Sequence, residues 1–332
     1  MSGGARYLLR RFAFYVLAAL FAITINFLVV RLMPGDPATA LLGRLKGELD
    51  PESIAALRQA FGLTEGSVFS QYIDYLSSTL RGDLGISIAY FPQPVSEVMA
   101  TGLMWTAFLQ GVSVVLAFGL GTTLGIAAAW RRGSWMDSAL PPALALVGAF
   151  PYFWTGMLLL GWLGYSMGVV PVRHAYAESV TPGWNMAFIA SMVQHAALPA
   201  AVTVATSMGG WLMAMRSTMI GVLGSQSIEL AHAKGLSDRR IMLHYAARNA
   251  LLPNVTGFGM ALGFVLTGSL LTEIIFSYPG QGYLLIQAVR AQDVPLILAL
   301  FLTITLAVLV ASWLADVATV LLDPRTRTES AR

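Results

Sequence analysis

Phe12 to Met33 runs through twenty-two residues with a single charge, Arg31, near its end. At a helical rise of about 1.5 Å per residue, that length crosses a hydrocarbon core of roughly 30 Å. Comparable apolar runs follow at about 103–130, 138–165, 195–216, 255–276 and 295–322. Six such runs leave one direct solution, an all-α polytopic membrane protein with six transmembrane helices. Composition agrees, with 56% hydrophobic residues, 11% charged residues and a mean hydropathy of +0.69. Soluble domains carry roughly 25% charged residues. There is no cysteine, which excludes a disulfide, a thiolate metal site and a thiol nucleophile. A net charge of +3 is too small and too scattered to point to nucleic acid.

The basic residues report orientation instead. Arg6, Arg10 and Arg11 precede the first run. A signal peptide competes for this segment, and Arg10-Arg11-Phe12 hints at a twin-arginine signal, but the run is long and lacks a convincing small-residue cleavage site. It is read as an uncleaved first helix, with residues 1–33 forming tail and helix 1. Residues 34–100 hold eight acids (Asp36, Glu48, Asp50, Glu52, Glu65, Asp74, Asp83, Glu97) against four bases (Arg44, Lys46, Arg58, Arg81). That excess suits a small extracytoplasmic insertion between helices 1 and 2. Within it, Asp50-Pro51-Glu52-Ser53 starts a helix with Ile54, Leu57 and Phe61 at helical spacing. Val68 to Leu80 predicts a second helix, Gly82 to Gly85 a turn, Ile86 to Tyr90 a short strand, and Val95 to Met99 a helix at the membrane surface.

The remaining spans form a core at 101–323, and 324–332 is a cytoplasmic tail. Gly111, Gly119, Gly121 and Gly125 in the second span allow close helix approach. The third span contains Pro141-Pro142 and the run Phe150-Pro151-Tyr152-Phe153-Trp154, where proline kinks the helix beside an aromatic cluster. That cluster reads either as packing or as part of a pathway. His195, Leu198 and Pro199 open the fourth span, and His195 reads as an interfacial hydrogen-bonding residue or a proton relay. Glu273, near the outer end of the fifth span, reads as an intramembrane functional acid or as a cap or ion-pair partner, for instance of Arg290. Inner segments then hold Arg6, Arg10, Arg11, Arg131, Arg132, Arg216, Lys234, Arg239, Arg240, Arg248, Arg325, Arg327 and Arg332. These are 13 of the 20 basic residues, which by the positive-inside rule places both termini in the cytoplasm.

The basic loop from Glu229 to Pro253, ELAHAKGLSDRRIMLHYAARNALLP, lies between the fourth and fifth spans. It reads as a short helix, a turn at Gly235, a second helix capped by Ser237 and Asp238, and a return to the membrane at Leu252-Pro253. Ile241, Met242 and Tyr245 form an apolar face, while Arg239, Arg240 and His244 are polar. A Glu-Leu-Ala start, a glycine six residues on and a later Leu-Pro resemble the coupling loop of bacterial ABC-importer permeases. The loop looks in particular like that of the dipeptide/oligopeptide and nickel branch, first-permease type. RLMPGDPA (31–38), LRQAFGL (57–63), RGDLGIS (81–87), PVSEVM (94–99), TEIIFSYPGQG (272–282) and LLDPRTR (321–327) resemble the same family, so the likeness covers Arg31 to Arg327.

The resemblance implies a permease subunit of the bacterial inner membrane that forms half of a translocation pathway, with short peptides as cargo. Its partners would be a homologous second permease, two ATP-binding subunits, an extracytoplasmic substrate-binding protein and membrane lipid. It implies docking of the ATPases on Glu229, Ala233, Lys234, Gly235, Leu236, Ser237, Asp238, Arg239, Arg240, Ile241 and His244. In that docking Leu236 and Ile241 give apolar contacts, and Glu229 braces the loop through Arg239 or Arg240. Phe150, Pro151, Trp154 and Glu273 are the pathway or gate candidates. Two departures from the family's pattern stand out: many relatives carry arginine around positions 229 and 232, where this chain has Glu229 and His232, and the start of the second span lacks the proline common in the family.

No P-loop is present, since the only lysines, Lys46 and Lys234, follow Leu45 and Ala233 rather than glycine. None of His174, His195, His232 and His244 precedes glutamate, and no G-x-S-x-G occurs. The chain is therefore read as a transport subunit with no catalytic residue, metal or cofactor of its own, and ATP and magnesium belong to its partners. Two alternatives remain: import of nickel chelate, opine or haem, and a gradient-driven secondary transporter or channel. The latter would use Glu273 and Asp316.

Overall fold

The computed structural model describes residues 3–32, 67–267 and 269–322. The expected helix around Ile54, Leu57 and Phe61, and the cytoplasmic tail, lie outside these residues. Apolar length turns directly into helix. α1 spans Gly3–Arg31, α2 Val68–Leu80, α3 Val95–Trp130, α4 Trp135–Ser138, α5 Leu140–Ala149 and α6 Tyr152–Leu159 with a π-helical continuation Leu160–Ser166. α7 spans Met186–Leu223, α8 Gln226–Ala233 and α9 Asp238–Arg240, which runs on as π-helical Ile241–Ala247 into α10, Arg248–Gly263. A 3₁₀ turn Phe264–Thr267 ends that helix, followed by α11 Leu270–Ile275, α12 Gln281–Ala291 and α13 Val294–Leu322. Among the described residues, five helical stretches are long and apolar enough to cross a membrane: Tyr7–Arg31, Val95–Trp130, Met186–Leu223, Asp238–Leu266 and Val294–Val317. The pair Trp135–Ala149 and Tyr152–Ser166, bent by 88° at Phe150-Pro151, meets the same measure only when its two helices are taken together, and makes a sixth if the pair is one span.

Several boundaries differ from the sequence reading. Val95 to Met99 is not a separate surface helix but the start of α3, because only Gly102, and no proline, separates it from the apolar run, and a lone glycine is tolerated inside a helix. Ile86 to Tyr90 forms no strand; a lone antiparallel bridge joins Ile86 to Pro94. The fourth span begins at Met186, capped by the Asn185 side chain on Phe188 N–H at 2.8 Å, and carries Pro199 inside it. Pro141 sits in the first turn of α5, where its missing N–H costs nothing, so the sharp bend falls at Pro151 instead. Pro253 lies within α10 and does not end the loop. The fifth span stops near Thr267, and Glu273 sits on the separate helix α11.

The chain divides into two compact units. One comprises residues 1–107 and 266–332. In it α1 pairs with α13: Tyr15 donates to Asp316 Oδ2 at 2.9 Å, Arg11 Nε lies 3.5 Å from the same oxygen, and Asn26 donates to the Leu298 carbonyl at 3.1 Å. α2 packs on α1 through Tyr72 and Tyr75 against Phe27. The core of this unit gathers Val95, Val98 and Met99 with Leu284, Ala288, Leu296, Ile297 and Leu300. Asp293 binds the 85–94 loop to it, accepting from Ser87 Oγ and from Ala89 N–H at 2.8 Å, and it caps α13 through Leu296 N–H at 3.1 Å. Burial pushes the Asp293 carboxyl upward from its ordinary value, opposed by these donors.

The other unit, residues 108–265, is built around α7. Gly121 and Gly125 lie against its backbone; a Cβ at Gly121 would come within 2.5 Å of the Met208 carbonyl, and one at Gly125 within 2.7 Å of the Leu212 carbonyl. Gly111 and Gly119 meet nothing within 4 Å, so only half of the glycines singled out from sequence serve close packing. Phe118 stacks on Phe258 at 4.3 Å and meets Trp211 edge-on at 5.3 Å.

Candidate coupling loop and gate residues

The loop after α7 is held by its own hydrophobic core. Ile228 and Ala231 of α8 and Ile241, Ala246, Ala247 and Ala250 after the turn pack on Met215 and Met219 of α7 and on Ala129 of α3. Between the two arms, Lys234 ends α8 and Gly235 takes φ +68°. Gly235 N–H donates to the His232 carbonyl at 2.9 Å and Leu236 N–H to the Ala231 carbonyl at 3.3 Å. This is the Schellman arrangement, in which the left-handed residue lets two orphan carbonyls be satisfied. Leu236 packs back on the core, the apolar contact that often accompanies the motif. Ser237 occupies the cap of α9, but only its carbonyl is used, by Arg240 N–H at 2.9 Å and Ile241 N–H at 3.0 Å; its side chain makes no cap bond.

The outer face carries Glu229, Ala233, Lys234, Gly235, Ser237, Asp238, Arg239, Arg240 and His244, all exposed. Two residues named for docking stand differently. Ile241 is 0% exposed and belongs to the chain's own core, so it is corrected from a contact to an anchor. Leu236 is half-buried in the same core. The apolar residues that do face outward are Leu230, 56% exposed, and Leu243, 41% exposed. Sequence reasoning missed both, although Leu243 lies beside His244 on the polar side of the predicted helix. Among the described residues no ion pair joins Glu229 to Arg239 or Arg240. Ile241→Ala is expected to lower stability by about 2–5 kcal/mol through a cavity. Leu243→Ala, on the surface, should change it by only about 0.5 kcal/mol. Thermal unfolding in detergent separates them.

The gate candidates fall into both units. Phe150, Pro151 and Trp154 are exposed at the 88° elbow, with the Phe150 and Trp154 rings stacked at 6.4 Å. Pro151 begins α6, its carbonyl accepting from Trp154 N–H at 2.9 Å. Glu273 is 0% exposed. Its Oε1 accepts from Thr106 Oγ1 at 2.8 Å, and its Oε2 from Gly282 N–H at 2.7 Å and Tyr283 N–H at 3.3 Å. Thr106 Oγ1 in turn accepts from Gln281 N–H at 2.8 Å. The cap residue of α12 is Gly280, which has no side chain, so Glu273 and Thr106 satisfy the first three N–H groups from a distance. A Cβ at Gly280 would lie 2.4 Å from the Glu273 carboxyl carbon, which accounts for glycine there. The pairing with Arg290 is not among these contacts. His195 Nδ1 lies 2.8 Å from the Ser191 carbonyl, one turn back.

A family model described as "Binding-protein-dependent transport system inner membrane component" matches residues 121–328. A second, for the N-terminal part of the same membrane component, matches residues 4–97. This chain belongs to the family of binding-protein-dependent transport system inner membrane components, the permeases of ABC importers. It is similar to the oligopeptide transport system permease protein AppB of Bacillus subtilis, 30% identical over 97% of this chain and 99% of that protein. The glutathione transport system permease protein GsiC of Salmonella typhimurium is 34% identical over 97% and 98%. The dipeptide transport system permease protein DppB of Lactococcus lactis is 30% identical over 97% and 99%. The chain is thus a transport subunit rather than an enzyme, a multi-pass protein of the bacterial inner membrane.

Proposed function

We propose that this permease forms half of the pathway for short peptides and is driven by two ATP-binding subunits docked on the 229–253 loop. Both termini lie in the cytoplasm, six spans cross the membrane, and 34–100 lies outside, where a substrate-binding protein delivers cargo. The second half of the pathway is a homologous permease. ATP and magnesium bind to the partner ATPases. The oligopeptide, glutathione and dipeptide transport named for the three relatives supports the peptide cargo. The observation that carries the docking role is the loop's construction: a buried anchor on Met215 and Met219, and exposed apolar residues, Leu230 and Leu243, on the two arms that also expose Glu229, Lys234, Asp238, Arg239 and Arg240. Exposed apolar side chains together with exposed charges are what an interface with a soluble partner uses.

Co-purification tests the reading. The tagged chain is expected to bring down its ATPase subunits in mild detergent. Leu230→Glu/Leu243→Glu should lose them while remaining monodisperse. Purification of the chain alone, with solute movement in liposomes under an ion gradient, would overturn the proposal in favour of a secondary transporter.

A further inference from the structure

The unit formed by residues 108–265 contains an ion pair that the docking role does not use. Arg216 of α7 places Nε and Nη2 each 2.6 Å from Asp137 Oδ1, and Gly133 N–H donates to Asp137 Oδ2 at 3.0 Å. The two side chains are 26% and 12% exposed. Asp137 lies on α4, the short helix that opens the bent span. Arg216 follows Met215 and precedes Met219, the two fully buried residues on which the 229–253 loop is seated. One turn of α7 therefore carries the loop on one set of side chains and the foot of the bent span on another.

Resting on the docking role proposed above, we infer that Asp137 and Arg216 are positioning residues that pass movement of the coupling loop to the elbow at Phe150-Pro151. The path has three links: loop core to Met215 and Met219, Arg216 to Asp137, and α4 into α5, whose C-cap is Phe150. α5 is itself fixed to α7 by close approach, since a Cβ at Gly209 would lie 3.0 Å from the Leu144 carbonyl. A neutral pair could fill the same space, but charge-assisted hydrogen bonds of this kind are roughly twice as strong as neutral ones. Without that link, α7 holds the bent span through α5 alone and the foot at α4 is no longer tied to it.

The test uses the complete complex in liposomes, with its ATPases and binding protein. The readout is a tripeptide pool transported per ATP hydrolysed. Asp137→Asn and Arg216→Gln are each expected to lower that ratio about fivefold or more, the lower range of coupling free energies between sites. The exchange Asp137→Arg/Arg216→Asp should recover much of it. Because the chain has no cysteine, Asp137→Cys/Arg216→Cys introduces its only two thiols. Bridging them with a short reducible bis-thiosulfonate should raise the ratio, and reduction of the same sample should lower it again, which removes misfolding as an explanation. Unchanged ratios in both single variants, or equal ratios in bridged and reduced samples, would overturn the inference. Its failure is distinguishable from failure of the docking role: in the latter case the unaltered chain binds no ATPase and shows no ATP-driven transport.

Discussion

Gly235→Pro is expected to leave the chain in the membrane and to abolish coupling of ATP hydrolysis to transport. Proline fixes φ near −65°, whereas Gly235 sits at +68°. It also removes the N–H that donates to the His232 carbonyl. The turn between α8 and α9 must then open, at a cost of about 3 kcal/mol or more, and the exposed residues on its two arms lose their fixed relation. Gly235→Ala separates conformation from crowding. Nothing lies within 4 Å of a Cβ at this position, so the change carries only the left-handed backbone cost, about 1–2 kcal/mol. Alanine should therefore weaken coupling, and proline should eliminate it. Transport per ATP in liposomes is the measurement, and full coupling in the proline variant would remove the loop from the mechanism.

Glu273→Ala has the second large effect. It leaves the N–H groups of Gly282 and Tyr283 and the hydroxyl of Thr106 without their acceptor in a fully buried site. Each orphaned donor costs about 1–3 kcal/mol. The apparent melting temperature should fall by roughly 2–4 °C for every kcal/mol lost. Gly282→Ala should do comparable damage with the carboxylate intact, because its Cβ would lie 2.6 Å from the Leu270 Cα, a backbone atom that cannot turn aside. A Glu273→Ala chain that keeps its melting temperature but loses transport would assign the residue to the pathway instead of to the helix cap.

The sequence made the membrane class plain because long apolar helices need no partner to be recognised. The runs at Phe12, Leu103 and Pro295 all became spans. Gly235 was legible for a similar reason: a left-handed turn is a local demand, met by local residues. What escaped was tertiary. Ile241 and Leu243 are two residues apart and equally apolar, yet one is the anchor and the other faces outward, since the phase of the helix against Met215 and Met219 decides it. Thr106 and Gln281 are 175 positions apart, so no spacing rule links them. In sequence Arg216 is one more inner-side charge and Asp137 carries no signal; only the approach of α4 to α7 joins them. The end of the fifth span was misplaced because Ser269 to Phe276 is as apolar as the helix before it; the break is made by geometry at the 3₁₀ turn rather than by a change in composition.

The second arm of the loop is not a separate piece of the molecule. From Asp238 it continues without a break through Ile241–Ala247 into α10, with Pro253 inside. Loop and membrane helix are thus one continuous helical stretch, notched where proline removes a backbone hydrogen bond. The arm on the loop side of the notch is about fifteen residues, or about 22 Å. A swing of about 10° at Pro253 would carry its tip by about 4 Å, the width of a side chain. A modest rotation at the notch therefore gives the tip a stroke large enough to shift one packed layer past another.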